Sequence, residues 1–145
     1  AWRFGSQCVV LGVDSRREGD AYNVYRNTGD PEKTAAARRD TVSWVREAES
    51  RGAGEVVLNC MNQDGVRQGY DTVQLATVRA SCSIPLIASG GAGAADHFVE
   101  VFKAAHVDGA LAASVFHSGE IAIADLKTHL ASHGIAVRLQ EPDHD

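Results

Sequence analysis

Apolar residues gather in four short runs along the chain: Cys8 to Val13, Val56 to Cys60, Pro85 to Ala88 and Gly109 to Ala112. None alternates cleanly between apolar and polar. Continuous runs this short suit strands covered on both faces, as in parallel sheets. Each is followed by a polar or glycine-rich stretch and then by a helical pattern. Asp40 is placed to cap a helix reaching to about Arg51, with Trp44, Val45 and Ala48 on one face. Asp71 with Gln74 resembles a capping box, and Leu75, Val78 and Cys82 continue at helical spacing. Phe98, Val101, Phe102 and Ala105 make a third apolar stripe. Ile123, Leu126 and Leu130 make a fourth, which stops near Gly134. Between the first run and the first helix, the polar stretch from Arg16 to Lys33 carries Tyr22, Val24 and Tyr25 and predicts a small hairpin.

Strand then helix, four times over, predicts parallel strands joined by right-handed crossovers. The segments from Gly54 to Asn59 and from Gly109 to Ser114 echo each other weakly, each running from Gly through an apolar strand to a small polar residue. A closed eight-fold β/α barrel takes about 250 residues, so four units are half of one. An open half-barrel leaves an apolar inner face in water and two unpaired strand edges. Two arrangements remove both liabilities. One is a flavodoxin-like sheet with helices on both faces; the other is two halves closing one barrel. The expected fold is α/β: a (β/α)4 half-barrel over residues 1–138, closing into an eight-stranded barrel as a homodimer. The polar, acidic tail of residues 139–145 is expected to be disordered.

Composition narrows the function classes. The 145 residues are 44% hydrophobic, enough for one domain with its own core. A net charge of -5 without a basic stripe argues against sequence-blind nucleic-acid binding. No apolar run approaches the roughly 20 residues of a membrane-spanning helix. The first residues lack the charged and apolar regions of a signal peptide. Cys8, Cys60 and Cys82 include no C-x-x-C pair and read as small hydrophobes of a reduced, cytoplasmic compartment, with a catalytic thiol as the alternative. The six histidines lack metal-binding spacing with a third ligand, so no metal is expected; no cofactor is expected either.

The segment Ile87-Ala-Ser-Gly-Gly-Ala-Gly93 follows a strand and opens a helix. Backbone N–H groups at Gly90 and Gly91 can approach an anion closely, and the helix start adds a favourable field. The next strand ends in a second small-residue turn, Ala112-Ala-Ser114. In β/α barrels the loops after the last two strands form a phosphate site, and these are the last two loops here. Asp64-Gly65, in the loop after the second strand, either stands over the same pocket or makes a turn only. Asp14 directly follows the first strand, where a carboxylate is a candidate general acid/base or a capping residue.

Seven strings resemble the cyclase subunit of imidazole glycerol phosphate synthase. They are Phe4-Gly-Ser-Gln7, Val9 to Asp14, Arg51-Gly-Ala-Gly-Glu55, Met61-Asn-Gln-Asp-Gly-Val66, Gly69-Tyr-Asp71, Pro85 to Gly93 and Asp108 to His117. The resemblance runs from Phe4 to Arg138 and covers only the C-terminal half of that barrel. It implies a lyase/cyclase that uses ammonia as co-substrate on a long bis-phosphate ribotide in histidine biosynthesis. Asp14 matches one of the family's two catalytic aspartates. Asp64, Gly65, Gly90, Gly91, Ala113 and Ser114 fall at its C-terminal phosphate site, and Asn59 and Ser89 line the pocket. Glu55 resembles a charged residue ringing the entrance through which a glutaminase subunit delivers ammonia. The basic members of that ring belong to the other half, which puts the glutaminase partner in doubt. The alternatives are a non-catalytic phosphate-binding half-barrel and a fragment of a longer cyclase.

Overall fold

The computed structural model describes residues 1, 3 and 5–139. Phe4, where the resemblance begins, and residues 140–145 of the expected tail lie outside the described residues. After a short 3-10 turn at Ser6–Cys8, the elements are β1 (Val10–Glu18), β2 (Ala21–Arg26), β3 (Ala35–Asp40), α1 (Thr41–Ser50), β4 (Glu55–Cys60) and α2 (Thr72–Arg79). Then come β5 (Leu86–Ser89), α3 (Ala95–Ala105), β6 (Gly109–Leu111), α4 (Ser114–His117) and α5 (Ile123–Ser132). The strands form one sheet in the order β3-β2-β1-β4-β5-β6. β1, β4, β5 and β6 are parallel and stand in chain order, while β2 and β3 add antiparallel to β1.

That strand order contains no reversal, so the flavodoxin-like arrangement does not occur. Successive helices touch in chain order, α1 against α2, α2 against α3 and α3 against α5. They cover one face of the sheet, and strand residues alternate accordingly. Val13, Leu58 and Ala88 share one register row on the covered face, and all three are buried. The other face is apolar but open: Val10 is 54% exposed and Leu111 46%. Coverage of both faces, expected from the continuous apolar runs, is therefore not present among the described residues. The architecture is a half β/α barrel with its inner face uncovered.

Three sequence expectations need correction. The first strand starts at Val10 and runs to Glu18, with Cys8 exposed in the preceding turn. Polar residues past Asp14 stay extended because β2 pairs with them from Asp14↔Tyr25 to Glu18↔Ala21. Asp14 thus lies mid-strand. The expected hairpin exists, but its first arm is the end of β1, and the chain returns through a third strand, β3. Within the hairpin, the Tyr25 hydroxyl and the Asn23 amide both donate to Glu18, and the Tyr25 bond holds that carboxyl below its ordinary range.

The helix starts follow the sequence closely. Asp40 Oδ1 accepts the Ser43 N–H at 2.8 Å, and Asp71 Oδ1 accepts the Gln74 N–H at 2.9 Å. The reciprocal half of the capping box is missing. The Gln74 side chain is fully buried and donates instead to Ser15 Oγ, which is 2.7 Å from Thr41 Oγ1. This network ties β1 to the starts of α1 and α2, one residue beyond Asp14. On α5, Leu126 and Leu130 are buried, but Ile123 is 56% exposed and leaves the stripe.

None of the three cysteines is disulfide-bonded. Cys60 is fully buried at the end of β4, and burial pushes its thiol well above the ordinary range. In the native state it should resist alkylation at neutral pH and react only on unfolding, while exposed Cys8 should be modified first. Mass-spectrometric mapping of iodoacetamide adducts at increasing urea checks this order. Rapid native labelling of Cys60 would contradict the packing at the end of β4.

Candidate active site

Parallel pairing sets Asp14 beside Asn59, Asn59 beside Ser89, and Ser89 beside Leu111. Residues in register on adjacent strands share a face, so these four form one row across the open side of the sheet. Asn59 Nδ2 donates to Asp14 Oδ1 at 2.9 Å. Thr28 Oγ1, from the loop between β2 and β3, donates to Asp14 Oδ2 at 2.5 Å. Both carboxylate oxygens are therefore oriented, and the group is half-buried. Such a carboxylate is held in place to accept or return a proton at the open face.

The far end of the row opens into a cleft of about 190 Å³, lined by Asp64, Gly65, Ser89, Gly90, Gly91, Ala113 and Ser114, together with Arg67 and Leu111. Seven of the residues singled out from the sequence thus meet in one place. Ser89 belongs to both the row and the cleft. Two strand spacings separate it from Asp14, about 10 Å. Glu55 lies apart. It opens β4 opposite Val10, four residues before Asn59 on the same face, or about 13 Å toward the other end of the sheet.

Two glycines of the loop after β5 have a steric reason to be glycine. A Cβ on Gly91 would fall 2.0 Å from the Gly69 carbonyl oxygen. On Gly93 it would fall 2.1 Å from the Arg67 carbonyl oxygen. Gly91 also accepts the Gly69 N–H at 2.8 Å. The loop after β5 is therefore pressed against the segment Arg67 to Gly69, and only glycine permits that approach. Tyr70 extends the clamp. Its hydroxyl donates to the Leu111 carbonyl at 3.0 Å, and its ring meets Phe98 edge-on at 5.6 Å. Burial raises the Tyr70 hydroxyl well above its ordinary pKa, so it stays a donor.

Sequence reasoning missed Thr28, Arg67 and Glu120. Arg67 pairs with Glu120 at the cleft. It lies between the Met61 to Val66 and Gly69 to Asp71 strings, where its charge was visible; nothing local pointed to Thr28, which reaches Asp14 only through the hairpin. Two of the histidines make structural contacts: His97 Nδ1 accepts the Gly93 N–H, and His129 pairs with Asp96.

The fold and this rim of oriented carboxylate and glycine-lined cleft define a half-barrel protein of the β/α class. The chain belongs to the histidine biosynthesis protein family, whose sequence model matches residues 1–122. It is 62% identical over 138 residues to the imidazole glycerol phosphate synthase subunit HisF of Maricaulis maris, covering 95% of this chain and 54% of that protein. The same subunit of Stenotrophomonas maltophilia strain K279a is 62% identical over 136 residues, 93% of this chain and 53% of its own length. That of Vibrio parahaemolyticus is 58% identical over 139 residues, 94% and 54% of the two lengths. The chain spans about half the length of the curated relatives it matches. Among the described residues no helix is long and apolar enough to cross a membrane.

Proposed function

We propose that this chain supplies the C-terminal half of an imidazole glycerol phosphate synthase cyclase site and acts as a lyase/cyclase once its barrel is closed. The observation that carries this reading is the continuous row Asp14–Asn59–Ser89 running into the glycine-lined cleft. A phosphate group in the cleft would meet backbone N–H groups at Gly90, Gly91, Ala113 and Ser114. Asp64 and Gly65 would bound it on the side of β4. Anchored there, a ribotide lies along the row with its reacting centre at Asp14, which moves protons while ammonia adds and the substrate is cleaved and cyclised. No cofactor is required for this chemistry. Ammonia would enter from the end of the sheet where Glu55 stands, the face suited to a glutaminase subunit.

Closure supplies what one half lacks. The open inner face exposes Val10 and Leu111. β2 takes the edge of β1 from Asp14 onward, and among the described residues Val10 to Val13 have no strand on that side. That four-residue edge matches the short β6 at the other end of the parallel run. A second copy related by two-fold symmetry can pair β6 there and close eight parallel strands. The mouth then carries two Asp14 carboxylates and two phosphate clefts, one for each end of a bis-phosphate.

The test is joint. Sedimentation should show a dimer or an even multiple, and ammonia with the bis-phosphate ribotide should give turnover. A well-folded monomer removes the closure. A dimer that binds phosphate but turns nothing over leaves a binding scaffold.

A further inference from the structure

Among the described residues lining the cleft, Arg67 is the one cation, and the backbone groups that surround it carry no net charge. Asp64 lines the same cleft with the opposite sign. The Arg67 backbone is pinned. Its φ is +61°, in the left-handed region, and its carbonyl oxygen occupies the space a Cβ on Gly93 would need. The side chain is not pinned to the same degree: it is 41% exposed, and its Nη2 donates to Glu120 Oε2. Glu120 is 48% exposed, and its other oxygen accepts the Ser118 hydroxyl at 2.8 Å. The Arg67 bond is the main reason the Glu120 carboxyl lies below its ordinary range.

Two features follow from this arrangement. An exposed ion pair is weakly held, so another anion can replace one member at little cost. A guanidinium also matches a phosphate as well as it matches a carboxylate, through parallel N–H donors. We propose that Arg67 is a ligand for the phosphate group in this cleft and that Glu120 holds it when the cleft is empty, so that Arg67 exchanges one anionic partner for the other as phosphate enters and leaves. This rests on the phosphate reading of the cleft. It adds to that reading a charged ligand and a competing carboxylate that together set the affinity.

The probe is inorganic phosphate, titrated into the full chain and followed by NMR at the amides of Gly90, Gly91, Ala113 and Ser114. Arg67→Gln should weaken binding about tenfold, the loss of one charge-assisted contact. Arg67→Lys, which keeps the charge, should lose less than about threefold. Glu120→Gln keeps the shape and removes the competitor, so it should tighten binding a few-fold. That gain should vanish in the Arg67→Gln background. Unchanged binding by Arg67→Gln would overturn the proposal. So would weaker binding by Glu120→Gln, since Glu120 would then only prop the arginine. If Arg67→Gln fails to fold, the Lys and Glu120 variants decide alone. Wild-type protein whose cleft amides ignore phosphate would remove the phosphate reading itself, and this inference with it.

Discussion

Asp14→Asn is expected to lower ammonia-dependent turnover by about 10²- to 10⁴-fold, the usual contribution of one positioned acid/base, with almost no change in thermal stability. Asparagine keeps the size and the planar end group. Its carbonyl oxygen can still accept from Asn59 Nδ2, which now meets Asp14 Oδ1 at 2.9 Å. On the other side, the new amide can donate to the Thr28 hydroxyl, which turns from donor to acceptor in place of the present 2.5 Å bond to Asp14. Packing on the covered face is untouched, because Val13 and Ser15 point there and Asp14 does not. What disappears is the basic oxygen. The measurement is steady-state turnover with saturating ammonia, alongside a thermal melt. Full activity in Asp14→Asn would show that Asp14 is a row residue without a part in proton transfer. Removing Thr28 or Asn59 should cost less, since each leaves the carboxylate in place with one oriented oxygen.

Gly91→Val should be the most damaging single substitution in the cleft, and its damage should be structural. At φ +112° a β-branched residue is strained by about 1–3 kcal/mol. Its Cβ would sit 2.0 Å from the Gly69 carbonyl oxygen and 3.0 Å from Gln63 Cβ. Backbone on one side leaves nothing flexible to yield, so overpacking adds about another 1–3 kcal/mol. At roughly 2–4 °C per kcal/mol for a chain of this size, the midpoint should fall by about 5–20 °C. The Gly69 to Gly91 hydrogen bond should be lost with it. Gly65→Ala is the control. Gly65 has φ +75° but nothing within 4 Å of the added Cβ, so only the backbone term of about 1–2 kcal/mol applies. Calorimetry on both variants, with phosphate binding measured below the midpoint, separates the two terms. Equal midpoints would mean that the loops after β4 and β5 do not interlock.

Much of this molecule was decided by residues acting locally. Asp40 and Asp71 start their helices through side-chain acceptors three residues upstream of the N–H they bind, a geometry that sequence spacing alone prescribes. The apolar runs became strands in chain order because short parallel strands linked by helices have few alternatives. Gly90, Gly91, Ala113 and Ser114 could be named as one site because loops on the same side of such a sheet converge. Other features depend on partners distant in the chain. The strand β1 reaches Glu18 because β2 pairs with its polar half, and no apolar pattern marks that extension. Thr28 meets Asp14, and Gln74 meets Ser15, only through folding, since each contact joins segments whose spacing carries no period. The role of Gly91 was also set in three dimensions. The sequence shows a missing side chain, and only the position of the Gly69 carbonyl shows what its absence makes room for.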